Sequence, residues 1–220
     1  MVVGKAPEPG RTKTRLVPPL TATEAADLYR AFLRDTLAFG LSLGWTQVSL
    51  VYPPSPDAAN VLAQILPPGV ALCPQRGRGL GAALTGAFSD YLAAGFQEVV
   101  LIGSDTPDLP ADIVAQASRQ LATADLTVGP SPDGGYYLIG MRRPHLGVFR
   151  DITWSTDRVY RETLARAAAL GLRVAPLPVW PDVDGPDDLA RLRADLAAAA
   201  PGVAPATRAA LGIVRHTAPV

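Results

Sequence analysis

The chain has one cysteine and two histidines, and only 6% of its 220 residues are aromatic. One thiol, Cys73, excludes an internal disulfide framework and a cysteine-rich zinc site; at the end of an apolar run it reads as a small core residue. Neither His145 nor His216 falls in a recognisable triad, which leaves nucleophilic hydrolysis without support. Lys plus Arg and Asp plus Glu stand at 20 each, so no net field draws the molecule to nucleic acid or to an acidic membrane. Any basic work must be local. No apolar run approaches a membrane span and no charged-then-apolar leader opens the chain, which predicts a cytoplasmic protein. Also missing are a Gly-Lys-Ser/Thr phosphate loop and, after the first apolar stretch, a dinucleotide fingerprint. What remains, 48% hydrophobic and 18% charged residues, suffices for one domain with a sizeable core.

The strongest positive signal is the run Glu98-Val99-Val100-Leu101-Ile102, cut off by Gly103-Ser104-Asp105-Thr106-Pro107. Its aliphatics read as a central strand covered on both faces. Asp105 is thereby delivered at the carboxyl end of a buried strand, the edge where open α/β sheets bind ligands. The blander role for Asp105 is to stabilise its turn or to cap the helix opening at Pro110. Around this run the chain alternates helix and strand. Thr21-Ala22-Thr23-Glu24 is a capping-box pattern opening a helix that buries Leu28, Phe32, Leu33 and Leu37 and ends near 40–44. Strands follow at 47–52 and 70–73, with a short helix at 57–66 between them and an Ala-rich helix at 80–94 after them. Further strands are predicted at 126–128, 136–141 and 173–179. Helices begin at Pro110, span 156–170 with Ser155 or Thr156 as N-cap, and run from Pro186 to about 200. The opening Met1-Val2-Val3-Gly4 is shorter than a central strand of about five or six residues, so either the first strand is clipped or the start lies upstream. The rhythm predicts a mainly parallel layered sheet in one domain, 1–200, with an Ala/Pro/Gly-rich tail, 201–220, loosely attached.

Two loops concentrate positive charge. Residues 4–16 carry Lys5, Arg11, Lys13 and Arg15 among prolines and glycines, Gly10 included, and can converge on an anion. Gln75-Arg76-Gly77-Arg78-Gly79-Leu80-Gly81 feeds the positive end of a helix dipole, a second wall for a phosphate. Gly129-Pro130-Ser131-Pro132-Asp133-Gly134-Gly135 is an irregular loop whose glycines can let main chain press on a sugar or base while Asp133 accepts from hydroxyls. Trp154 either plugs a core edge or stacks on a ligand. Asp187 and Asp188 complement the dipole of the helix opened by Pro186; Asp182 and Asp184 precede it and are not so explained. Asp105 and Asp184, facing two basic loops, make a coherent site for a metal-bound phosphate ester, because Mg²⁺ takes one or two carboxylates and otherwise water and phosphate oxygens.

In order, Lys5-x-Pro7-x-x-Gly10-x-x-Lys13-Thr14-Arg15-Leu16, Gly103-Ser104-Asp105-Thr106-Pro107, Asp133-Gly134-Gly135-Tyr136-Tyr137, Trp154-Ser155-Thr156 and Asp182-Val183-Asp184-x-Pro186 resemble a bacterial family of GT-A-like nucleotide-diphospho-sugar transferases. The likeness covers residues 1–195 and is related to that of 2-phospholactate guanylyltransferase and molybdenum-cofactor guanylyltransferase. It implies a GT-A fold, a three-layer α/β/α sandwich with a mixed, mainly parallel sheet, and Mg²⁺ or Mn²⁺ held by Asp105 and Asp184. It implies donor phosphates on Lys5, Gly10, Arg11, Lys13, Arg15, Gln75, Gly77 and Gly79, and an acceptor or sugar against Asp133, Gly134, Gly135, Tyr136 and Trp154. Lys13, Arg15, Asp105 and Asp133 are the catalytic candidates. Metal-dependent GT-A glycosyltransferases usually carry Asp-x-Asp where this chain has Ser104-Asp105-Thr106. That single Asp and the dense basic loop favour nucleotidyl transfer from an NTP to a small phosphorylated or hydroxylated acceptor. Glycosyl transfer from an NDP-sugar and nucleotide binding without turnover are the alternatives. Base, acceptor and oligomeric state stay open.

Overall fold

Alternate residues of the aliphatic run face opposite layers. In β4 (Val99–Gly103) Val100 and Ile102 join one buried cluster, and Val99 and Leu101 join the other. That is the behaviour of a strand covered on both sides. The computed structural model describes residues 1–213 and places β4 in the middle of a seven-stranded sheet. With β1 (Val2–Val3), β2 (Val48–Tyr52), β3 (Val70–Pro74), β5 (Leu126–Pro130), β6 (Tyr136–Met141) and β7 (Val174–Pro176), the order is β3-β2-β1-β4-β6-β5-β7. β6 is antiparallel to both neighbours, β4 and β5, and every other pairing is parallel. The expected mixed, mainly parallel α/β sheet is therefore present.

One face is covered by α1 (Ala22–Ser42), α2 (Ala58–Ala63), α4 (Ala111–Gln120) and α6 (Pro186–Ala198), the other by α3 (Gly79–Ala93) and α5 (Val159–Ala169). Phe32 of α1 and Phe88 of α3 are fully buried, one in each layer. Truncating such a core aromatic costs about 3–5 kcal/mol. The capping box opens α1 as its sequence predicts: Glu24 N donates to Thr21 Oγ1 while Thr21 N donates to Glu24. Among the described residues, no helix is long and apolar enough to cross a membrane.

Two expectations need correction. α5 begins at Val159, one turn after Ser155 or Thr156. Ser155 is left-handed (φ 63°), and Thr156 Oγ1 donates to Thr153 O within a separate turn tied to Glu162. The tail is also not loose as far as it is described. α7 (Pro205–Ala210) packs on α1, with Ala204 and Leu211 buried. Buried Asp35 of α1 accepts from Ala206 N at 3.0 Å and Thr207 N at 2.6 Å, filling the first-turn donors that a helix end leaves open. Residues 214–220, His216 among them, lie outside the described part.

Asp35→Ala strips both acceptors from buried donors, at about 1–3 kcal/mol. At about 2–4 °C per kcal/mol for a chain of this size, thermal unfolding should shift down by several degrees. Hydrogen exchange should quicken at residues 205–211 before it does in the sheet.

Candidate active site

Because β6 alone runs against the rest, the segments after β1, β3, β4, β5 and β7 all leave the sheet along one edge. A cleft of ≈ 870 Å³ opens there, within the range of about 300–1,000 Å³ usual for small-molecule sites. Of the residues expected at the site, Lys5, Arg11, Lys13, Arg15, Gln75, Gly79, Asp105, Asp133, Gly135, Tyr136, Trp154 and Asp184 line it; Gly10, Gly77 and Gly134 do not.

The four cations of the first loop are committed differently. Lys5 Nζ donates to Arg11 O at 3.0 Å, and Arg11 pairs with Glu8 at 3.1 Å, so both brace their own loop. Arg15 is largely exposed, its guanidinium 3.8 Å from Asp184. Lys13 is left-handed (φ 49°, ψ 41°), a conformation that costs a non-glycine residue on the order of 1–2 kcal/mol. It is held there by the following 3₁₀ turn, Thr14–Leu16, whose Leu16 is fully buried. The twist sends the Lys13 side chain into the molecule. The side chain is 6% exposed, and its ammonium donates to Val183 O at 2.7 Å and to Asp184 Oδ1 at 2.8 Å. Asp105 Oδ1 also lies 2.8 Å from it, close enough for strong attraction but not aligned as a hydrogen bond; among the described residues that buried oxygen has no other partner. Burial pulls the Lys13 pKa down, and the charges of Asp105 and Asp184 more than reverse this, so the group is raised and stays cationic.

The loop is fastened to β4 from behind. Lys5 N donates to the Tyr29 hydroxyl at 3.0 Å, and that hydroxyl shares a 2.8 Å hydrogen bond with Ser104 Oγ. Asp105 itself does not cap α4, whose N-cap is Pro110 with no side-chain hydrogen bond.

Across the cleft stand carboxylates from two further segments. Val183 N donates to Asp105 O at 3.0 Å, so the strand-like pairing continues past the end of β4. In such an extended segment alternate side chains face alike: Val183 is fully buried, while Asp182 and Asp184 both line the cleft. Asp184 N and Gly185 N both donate to Asp188 at the start of α6, and Arg191 donates to Asp182 O at 3.1 Å. One oxygen each of Asp133, Asp182 and Asp184 lie within 4.8 Å of one another. Burial, then the charges of Asp133 and Asp184, push the Asp182 carboxyl up to about 6. That group contains Asp184 of the expected metal pair but not Asp105, and it adds Asp182, a carboxylate the sequence marks by its i, i+2 spacing with Asp184.

Asp133 sits in a tight turn, its Oδ1 accepting from Gly135 N at 2.9 Å. Gly134 (φ 87°) faces protein: an added Cβ would come within 2.0 Å of Asp157 O, and its own carbonyl accepts from Tyr160 N at 2.8 Å. Trp154 lies on Gly81 at the start of α3, where a Cβ would meet the indole at 2.5 Å, and tilts against Phe149. The second basic loop largely holds itself: Gln75 Nε2 donates to Gly77 O at 3.1 Å and Arg76 pairs with Asp90. Gly77 and Arg78 line an adjoining hollow of ≈ 650 Å³ that meets the cleft at Trp154.

No curated protein sequence matches this chain. A crystal structure from Desulfovibrio desulfuricans G20, of a protein provisionally named as a nucleotide-diphospho-sugar transferase, is 35% identical over 96% of this chain and 92% of that one, with a TM-score of 0.88. The fold is shared at lower identity by Rv0371c of Mycobacterium tuberculosis H37Rv in complex with manganese, 21% identical over 87% and 94% of the two chains (TM-score 0.51). It is shared too by the bifunctional IspDF of Campylobacter jejuni, 10% identical over 86% of this chain and 52% of that one (TM-score 0.56). The profile of a bacterial family matches residues 39–156, a stretch that contains Asp105 and Asp133 and stops short of Lys13 and Asp184. With that match and the 35% identical relative, the chain belongs to the family described as "uncharacterized protein conserved in bacteria (DUF2064)", built on the nucleotide-diphospho-sugar transferase fold.

Proposed function

We propose that this protein is a divalent-cation-dependent nucleotidyltransferase, moving a nucleoside monophosphate from an NTP to a small phosphorylated or hydroxylated acceptor in the cytoplasm. The observation that carries the reading is the meeting, in one cleft, of the Lys13 ammonium and Arg15 with carboxylates from three segments. The donor set suits a hard cation: carboxylates only, crowded until burial and mutual repulsion raise Asp182, with one buried oxygen of Asp105 lacking a hydrogen bond among the described residues. Asp105 and Asp184 would hold Mg²⁺ or Mn²⁺, with Asp182 and Asp133 grouped beside Asp184. When bound, the ion would supply Lewis-acid stabilisation of charge on the phosphates.

The chain's own residues divide the remaining work. Lys13 and Arg15 neutralise charge building on the departing pyrophosphate, and the N-terminus of the 15-residue α3 faces the same anion from the second wall. As the acceptor oxygen bonds to the α-phosphorus, the bond from that phosphorus to the bridging oxygen breaks and pyrophosphate leaves. A phosphorylated acceptor brings an ionised oxygen and needs no base. A hydroxyl acceptor would give its proton to exposed Asp133. Tyr136 and Trp154, which line the cleft, would border the acceptor.

Glycosyl transfer from an NDP-sugar is the second reading, favoured by the name of the 35% identical relative. Thermal shifts with NTPs and NDP-sugars, each with and without Mg²⁺, select the donor. Product analysis then decides: pyrophosphate supports the first reading, a nucleoside diphosphate the second, and binding without any product would overturn both.

Asp105→Asn should lower metal-dependent turnover by about 10²–10³-fold or more in a protein that still folds; retained turnover would remove Asp105 from the site chemistry. Asp182 yields a pH-dependent outcome. Raised above its ordinary value, it keeps a proton in the folded state between about 4 and 6 that the unfolded chain has lost, so stability falls as pH rises through that window. In EDTA, Asp182→Asn should therefore melt higher than the parent at pH 8 and nearly level with it at pH 4. An equal difference at both pH values would show that the titration of Asp182 is not the cause.

A further inference from the structure

We propose that Lys13 is a resident counter-ion of the carboxylate site, holding Asp105 and Asp184 together when no divalent cation is bound and yielding that place when one binds. Cation binding then releases the ammonium toward the donor's phosphates. The proposal rests on the metal-dependent reading above and deepens it.

Lys13 Nζ stands 2.8 Å from one oxygen of each carboxylate and is all but sealed from solvent. A lysine ammonium has three donors, and a loop lysine would ordinarily spend them on water. Here two are spent on Val183 O and Asp184 Oδ1, and the contact with Asp105 is Coulombic. A small dication held at about 2.0–2.1 Å by those same two oxygens would stand too close to the ammonium for both to stay. The occupants are thus alternatives. One ammonium offsets only part of the charge of Asp105, Asp133, Asp182 and Asp184, so the site remains more favourable for a dication than for Lys13 alone.

The means of exchange are also local. The backbone of Lys13 is pinned by buried Leu16, but the charge rides on a flexible four-carbon stem, and Thr14 and Arg15 beside it face the same cleft. Releasing Asp184 and Asp105 leaves the ammonium on the side where donor phosphates would lie. Cation and phosphate binding are then coupled, and coupling between two bound groups is reciprocal, commonly about 5–150-fold.

The chain has two lysines, Lys5 and Lys13, which makes the test simple. The wild-type protein is acetylated with an N-hydroxysuccinimide ester, with and without saturating Mn²⁺, and both lysines are quantified by peptide mass spectrometry. Lys13 should be protected without the ion and become at least about fivefold more reactive with it, while Lys5 changes little. Separately, Mn²⁺ binding by wild type and Lys13→Met is measured from the electron paramagnetic resonance of free Mn²⁺. The variant should bind several-fold more tightly, having no ammonium to displace. Mn²⁺ binding with Lys13 still protected, or equal or weaker affinity in a folded Lys13→Met, would overturn the exchange and leave the metal reading standing. No Mn²⁺ binding by either protein would overturn both. The labelling arm needs no variant, so a misfolded Lys13→Met cannot hide the answer.

Discussion

A buried central strand must have its backbone groups paired on both sides, and in this protein that demand extends past the strand's last residue. β4 pairs with β1 and β6, and where those ladders stop the carbonyl of Asp105 takes Val183 N. That one hydrogen bond brings two segments far apart in the chain to the same spot. Once Val183 is paired and its side chain buried, the pleat obliges Asp182 and Asp184 to face the cleft. Asp188 and Arg191 of α6 fix the backbone of the same segment, so the acidic wall stands on sheet and helix together.

The opposing wall is built on contrary terms. The first loop has little regular structure, and its cations divide between bracing the loop and reaching the acids. Lys5 and Arg11 are consumed internally, whereas Lys13 and Arg15 cross to the carboxylates. The Tyr29 hydroxyl anchors both walls from below, accepting from Lys5 N and bonding Ser104 beside Asp105. A chain of zero net charge thereby concentrates both signs at one sheet edge and leaves them partly matched.

Much of this was legible in the sequence because it rests on local patterns. The aliphatic run ending in Gly-Ser-Asp announces a buried strand with a carboxylate at its tip, and Thr21 with Glu24 announces a helix start. Less legible was whatever depends on a distant partner. Asp35 gives no local sign that it caps a helix 171 residues away, so residues 201–213 read as a loose tail. Ser155 and Thr156 have good cap chemistry, but Glu162 captures Thr153 first and the helix starts later. The burial of Lys13 was hidden too, since a lysine amid glycines and prolines reads as solvated until the αL twist and the acids across the sheet are known. The glycine pair at 134–135 promises room for a ligand in the sequence, yet Gly134 is committed to the backbone of Asp157.

The seat of Trp154 on Gly81 reaches beyond packing. The indole occupies the volume that any side chain at position 81 would need, and it lies where the two hollows along the sheet edge meet. A larger residue at 81 would need a smaller one at 154, and a smaller residue at 154 would merge the hollows into one. In evolutionary terms the constraint runs one way: a side chain at 81 is closed while Trp154 stands, whereas a smaller residue at 154 opens position 81 to change.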